Sequence, residues 1–106
     1  MLNSSHLTIS FNVQNAITGT AIPDVPFDLY FNDTRVNWAR SGLDGHGLFS
    51  DLPPGLYYLA QSSYPDGLTG LSIRYKIRLD SDGSVYLAGE RVSEICVLNF
   101  PARVKR

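Results

Sequence analysis

The chain has 106 residues, 43% hydrophobic and 18% charged, with a formal net charge of −1 and a pI near 6.0. That is one domain with enough apolar material for one core, and so balanced a charge supplies no long-range field to draw in nucleic acid or an anionic membrane. The single cysteine, Cys96, excludes an internal disulfide and a cysteine-based zinc centre, and no segment has the length of a membrane span.

Period-two alternation recurs along the chain, while no window keeps the apolar rhythm of a helix. Met1 to His6 shows no basic start and no apolar run, so it carries no signal-peptide signature. Leu7, Ile9, Phe11 and Val13 alternate with polar residues as a half-buried strand, ended by the Thr18-Gly19 turn. Val25, Phe27, Leu29 and Phe31 form a second strand. Pro26, which lacks an N–H, puts that strand at a sheet edge or at its own start. Asn32-Asp33-Thr34 turns the chain into a third strand with Val36 and Trp38, the tryptophan expected in the core. Ser41 to Gly45 turns, His46 to Phe49 is a short strand, and Asp51 to Gly55 turns again. Leu56 to Ser62 is a strand closed by Tyr64-Pro65-Asp66-Gly67; its alternation groups Tyr57, Leu59 and Gln61 on one face, although both faces are apolar enough to leave the choice open. Leu71 to Leu79 is long, Asp80 to Gly83 makes a hairpin into Ser84 to Ala88, and Val92 to Phe100 is last. The reading is an all-β, seven- to eight-stranded antiparallel Greek-key β-sandwich, a single domain over residues 1–106 with flexible tails at 1–5 and 102–106.

Ile95, Val97 and Asn99 share one face of the last strand, so Asn99 and Gln61 are two carboxamides that alternation can aim inward. An unpaired buried amide costs about 1–3 kcal/mol, and two amides can satisfy each other, donor to acceptor. Gln61 and Asn99 are therefore candidates for a cross-strand pair; the alternative is that Gln61 faces solvent.

A resemblance rests on pieces that fall in order: Thr18-Gly19, Val25-Pro26-Phe27-Asp28-Leu29, Leu43-Asp44-Gly45 with Leu48-Phe49, Leu52-Pro53-Pro54-Gly55-Leu56-Tyr57-Tyr58-Leu59, Tyr64-Pro65-Asp66-Gly67 and Val97-Leu98-Asn99-Phe100-Pro101. Together, over nearly the whole chain, they resemble the Cna B-type (SpaA-like, prealbumin-like) domain of Gram-positive surface adhesins and pilins. The resemblance implies a non-enzymatic structural or adhesive module at the cell surface. Its partners would be other domains of a larger surface protein, or an extracellular matrix or host protein or glycan; a monomer, no nucleic acid, no membrane insertion and no cofactor are expected. In that family a first-strand lysine attacks a last-strand asparagine, aided by a buried glutamate, to form an isopeptide bond. Carried over, the asparagine is Asn99, the glutamate position is Gln61 and the lysine position falls at or beside Val13. Neither Val13 nor its neighbours Asn12 and Gln14 supply an amine, and Gln61 cannot exchange a proton, so a vestigial site without its bond is expected. The chain shows neither a secretion signal nor a sorting motif, so either it is a piece of a longer surface protein or the family's location does not apply.

Other chemistry is weaker. Transthyretin-like hydrolases resemble the turn rhythm, but the histidines, His6 and His46, lie in a tail and beside a turn, and the end reads Ala-Arg-Val-Lys-Arg. Asp80-Ser81-Asp82-Gly83 lacks the sixth-place glycine and twelfth-place glutamate of an EF-hand. Cys96 is expected to be a small apolar residue pointing away from Asn99. Tyr57, Tyr58, Tyr64, Tyr75 and Tyr86 could form a contact face, although half-buried packing is their usual role. Asn3-Ser4-Ser5 and Asn32-Asp33-Thr34 match glycosylation sequons, which carry weight only in a secreted chain.

Overall fold

The computed structural model describes residues 7–65, 67–70 and 74–101. Among them run ten strands: β1 (Leu7–Asn15), β2 (Pro26–Phe31), β3 (Thr34–Arg40), β4 (His46–Leu52), β5 (Gly55–Gln61), β6 (Leu68–Thr69), β7 (Arg74–Leu79), β8 (Val85–Leu87), β9 (Glu90–Val92) and β10 (Ile95–Pro101). They form two sheets, β4-β1-β10-β6 and β3-β2-β5-β7-β8-β9. The expected tails, together with Asp66 and the stretch from Leu71 to Ile73, lie outside the described residues.

The inward faces are those the alternation gives. Ile9, Phe11 and Val13 of β1 face Phe27 and Leu29 of β2 and Tyr57 and Leu59 of β5, with Ile77, Leu79, Ile95 and Val97 completing one buried cluster. Phe11 sits at its centre, its ring 4.4 Å from Phe27 and 5.7 Å from Phe49. Each such aromatic side chain contributes about 1.5–3 kcal/mol of burial, so the sandwich rests on this layer.

Turn chemistry sets the hairpins. Asn32 and Asp33 both take positive φ, 53° and 66°, between the paired Phe31 and Thr34, the mirror-image turn that matches strand twist. Ala88 and Gly89 repeat it between Leu87 and Glu90, at 55° and 84°.

Several expectations are corrected. Trp38 is 58% exposed. The half-buried Ala39, level with Phe27, turns inward in its place, so Trp38, level with Asp28, points out. Val36, also exposed, is the extra residue where the register shifts between Leu29 and Tyr30. Pro26 does begin its strand, but β2 is interior, between β3 and β5. Strand β4 runs on to Leu52, and Asp51, assigned to a turn, sits at φ 57° in the irregular pairing opposite Leu7 and Ile9. Val92 belongs to β9, and the chain bends before β10 begins. One pair, β1 with β10, is parallel.

Candidate functional site: a carboxamide pair between the sheets

Gln61 ends the inward series Tyr57, Leu59, Gln61 of β5, level with Phe27. Asn99 ends the series Ile95, Val97, Asn99 of β10 and is 0% exposed. The sheets bring the two amides together. Gln61 Nε2 donates to Asn99 Oδ1 at 2.9 Å, and Asn99 Nδ2 donates back to Gln61 Oε1 at 2.8 Å. Gln61 Nε2 also donates to the Ser63 carbonyl at 3.0 Å. A carbonyl can only accept, so Ser63 fixes which side of the Gln61 amide is nitrogen and thereby the sense of the whole pair. Among the described residues no buried side-chain polar atom lacks a partner. The alternative of a Gln61 pointing into water does not hold.

Val13 is buried on the inner face of β1, its N–H donating to the Gly45 carbonyl at 2.9 Å. In the parallel ladder it lies level with Val97, and the residue level with Asn99 is Asn15. Asn15 does not join the amide pair. Its Oδ1 accepts from the N–H groups of Ile17 and Thr18 and caps the turn after β1. Asn99 is tied to that turn through its backbone, its carbonyl accepting from Ala16 at 2.8 Å. The site is therefore a strut: side chains link sheet to sheet, and main chain links β10 to the exit of β1. Neither amide is a general acid or base, and no amine is among these groups.

The other candidates separate. Cys96 is exposed, its Sγ 3.1 Å from Gln14 Nε2, on the far side of β10 from Asn99. His46 opens β4 beside the turn; its Nε2 lies 3.3 Å from Glu94 and its main-chain N–H donates to Asp44, holding that carboxyl below its ordinary value; His6 lies outside the described residues. Asp82 Oδ1 accepts from the Ser84 N–H and is likewise lowered, while Asp80 accepts from Arg78 Nε, as a hairpin turn requires. The five tyrosines do not share a face. Tyr57 is buried and donates to the Pro53 carbonyl, burial raising its phenol; Tyr75 is half-buried inward; Tyr58 and Tyr86 point outward; Tyr64 lies over Gly70.

The outward face of the larger sheet is the feature the sequence reading passed over. All six Lys and Arg among the described residues sit there: Arg35, Arg40, Arg74, Lys76, Arg78 and Arg91. The signal was present, since Arg74, Lys76 and Arg78 alternate with the inward Tyr75, Ile77 and Leu79.

No family model matches the sequence. No curated protein matches it either. Solved structures do. A group B streptococcus pilus 2b backbone protein superimposes with a TM-score of 0.69 at 21% identity over 92% of this chain. The pilus adhesin of Streptococcus pneumoniae gives 0.69 at 19% over 95%, and a C-terminal fragment of the pilus adhesin SpaC from Lactobacillus rhamnosus GG gives 0.73 at 14% over 95%. The chain has the fold of those pilin and adhesin domains. It spans 42%, 16% and 47% of the three proteins respectively, so the pilin-type sandwich is one part of each. At such low identity the likeness is one of architecture.

Proposed function

We propose that the chain is a non-enzymatic structural or adhesive module of a bacterial cell-surface or pilus-type protein, working without an intramolecular isopeptide bond. The observation that carries the reading is the sandwich shared with streptococcal and Lactobacillus pilus proteins over more than nine-tenths of the chain. Its partners are neighbouring domains of a larger surface protein, or a matrix protein or glycan outside the cell, and the module itself is a monomer.

Val13, Gln61 and Asn99 are the vestigial positions of the cross-link. Asn99 keeps the electrophilic carboxamide, but an aliphatic side chain stands where an amine is needed, and the partner amide cannot polarise the Asn99 carbonyl or protonate departing ammonia. The reciprocal hydrogen bonds between Gln61 and Asn99 support this, since they satisfy the buried amide as it stands. Intact-mass measurement tests the chemistry: the mass should equal that of the sequence, and a chain lighter by one ammonia would overturn the reading. Surface labelling of intact source cells tests the location. The module should be reached by antibody and removed by external protease, and a signal only after lysis would refute a surface role.

A further inference from the structure

We infer that the outward face of the larger sheet is a binding surface for an acidic polysaccharide, a chain of sugar rings carrying carboxylate or sulfate groups. In a chain of net charge −1, all six described cations are exposed on this one face. Its rows across the strands set charges beside rings. Arg35, Tyr30, Tyr58 and Lys76 form one row, and Leu56, Arg78, Tyr86 and Arg91 the next. Asp28 lies in the neighbouring row, level with Trp38 and Ala60, where Arg35 and Ser62 bind it; Arg40 pairs with Asp24 and Arg78 with Asp80, at the margins of the face.

Two guanidinium groups are held ready. Arg74 lies 4.6 Å from the Tyr30 ring centre and Arg78 lies 4.3 Å from that of Tyr86. Stacking fixes the plane of each fork; Arg78 gives its Nε to Asp80 Oδ1 at 3.0 Å, so its terminal nitrogens and the Arg74 fork are what the face offers to a planar carboxylate or a sulfate. Lys76 and Arg91 make no ion pair among the described residues. Beside them a groove of about 380 Å3, lined by Leu56, Lys76, Arg78, Tyr86, Ala88 and Gly89, offers a concave seat.

The geometry selects among polyanions. An acidic peptide laid on a sheet face would find no main-chain partners there, and its own amides would go unpaired wherever the contact excluded water. A sugar chain has no such groups. Its hydroxyls remain wet on an open face while ring carbons rest on Tyr58, Leu56 and Trp38, all at least partly exposed. Single-stranded nucleic acid prefers successive free aromatic platforms, and here Arg74 and Arg78 already cover two of the rings. The choice of a sugar polymer rests in part on the surface-module reading; the charge segregation does not.

The test is equilibrium binding of the full chain to two probes, heparin and hyaluronate, across a salt series, with poly-glutamate and single-stranded oligodeoxynucleotide as competitors. Binding should weaken steadily with salt. The double variant K76Q/R91Q should lose about tenfold or more in affinity, since each cation near an anionic surface is worth a severalfold factor. L48E/L98E, the same change of net charge at two exposed positions on the outer face of the smaller sheet, should change it by less than about twofold. Tyr58→Ala should weaken binding by a factor that persists at high salt. No binding of either polysaccharide at low salt would overturn the inference, as would equal losses in the two double variants. Tighter binding of poly-glutamate or the oligonucleotide would show that the occupant is wrong. The mass and surface-labelling results do not depend on any of these outcomes, so this inference can fail while the module reading stands.

Discussion

The carboxamide pair predicts an inversion that burial alone would not. Asn99 is 0% exposed and Gln61 is partly exposed, so counting buried area says that truncating Asn99 costs more. Hydrogen-bond accounting says the opposite. Asn99→Ala removes two bonds at about 0.5–1.5 kcal/mol net each, but the Gln61 amide keeps the Ser63 carbonyl and can turn its oxygen to water, so the loss should be about 2 kcal/mol. Gln61→Ala strands the Asn99 amide in the core with donor and acceptor both unmade, and the desolvation cost raises the loss to about 3 kcal/mol. The double variant strands nothing, so a double-mutant cycle should return a coupling of about 1–2 kcal/mol. Urea unfolding followed by far-ultraviolet circular dichroism reads all four proteins; Trp38, already in water, is a poor fluorescence reporter. A larger loss for Asn99→Ala than for Gln61→Ala, or a coupling below about 0.3 kcal/mol, would refute the argument that the two amides stabilise the sandwich as a unit.

Rebuilding the cross-link tests the register: Val13→Lys with Gln61→Glu should give a chain one ammonia lighter. By closing a loop on the order of 90 residues, the bond should add up to about 4.5 kcal/mol of stability, read as a rise in Tm. Ala88 holds φ 55° in a turn that favours asparagine, so Ala88→Asn should stabilise by about 0.5–1 kcal/mol in the same urea assay. Gly45 sits at φ 80° with the Val13 carbonyl 2.8 Å from where a Cβ would stand, so Gly45→Ala should destabilise by about 2 kcal/mol or more and lower the urea midpoint. Asp44 and Asp82 are held below their ordinary value of 3.8, first by the main-chain N–H of His46 and of Ser84 respectively. Their contribution is present above pH 3.8 and lost as pH falls through the lower folded value, so Asp44→Asn with Asp82→Asn should flatten the stability profile below pH 4, measured by thermal melts across acid pH.

Strands long enough to show a period were legible. The alternations of β1, β2 and β10 place Phe11, Leu29 and Val97 without any structure, and they aim Asn99 inward before its partner is known. The assignment of Tyr57 over Tyr58 is settled only by pairing, since both neighbours are apolar and the face is fixed by which side of β5 meets Phe27 and Ile77. Trp38 misleads because size suggests burial, whereas β3 is an edge strand whose inward place level with Phe27 has room only for Ala39. Strands β6 and β9, of two and three residues, are too short to carry a period at all. The parallel meeting of β1 and β10 joins Phe11 to Ile95 across most of the chain, and no local pattern encodes it.

That parallel pair bears on how such a module would carry load. Pulled at the start of β1 and the end of β10, adjacent parallel strands are sheared past one another, and the five registered pairs from Phe11–Ile95 to Asn15–Asn99 are strained together rather than unzipped one by one. A covalent bond between these strands would remove that path of failure. Here Gln14 Nε2 to Cys96 Sγ and Asn12 Nδ2 to Glu94 Oε2 bridge the outer side of the ladder, and two further supports, the Ala16 N–H on the Asn99 carbonyl and the Gln61 amide on the Asn99 side chain, act at its last rung. Both supports converge on Asn99 at the end of the ladder where β1 leaves for its turn, where shear of the parallel pair would be felt. Losing Gln61 should therefore lower the force at which the module yields, beyond any loss of equilibrium stability. Pulling experiments on tandem copies can separate the two: Gln61→Ala should fall below a core variant of equal stability, such as Ile77→Val, and equal yield forces would show that the amide supports the core without bracing the ladder.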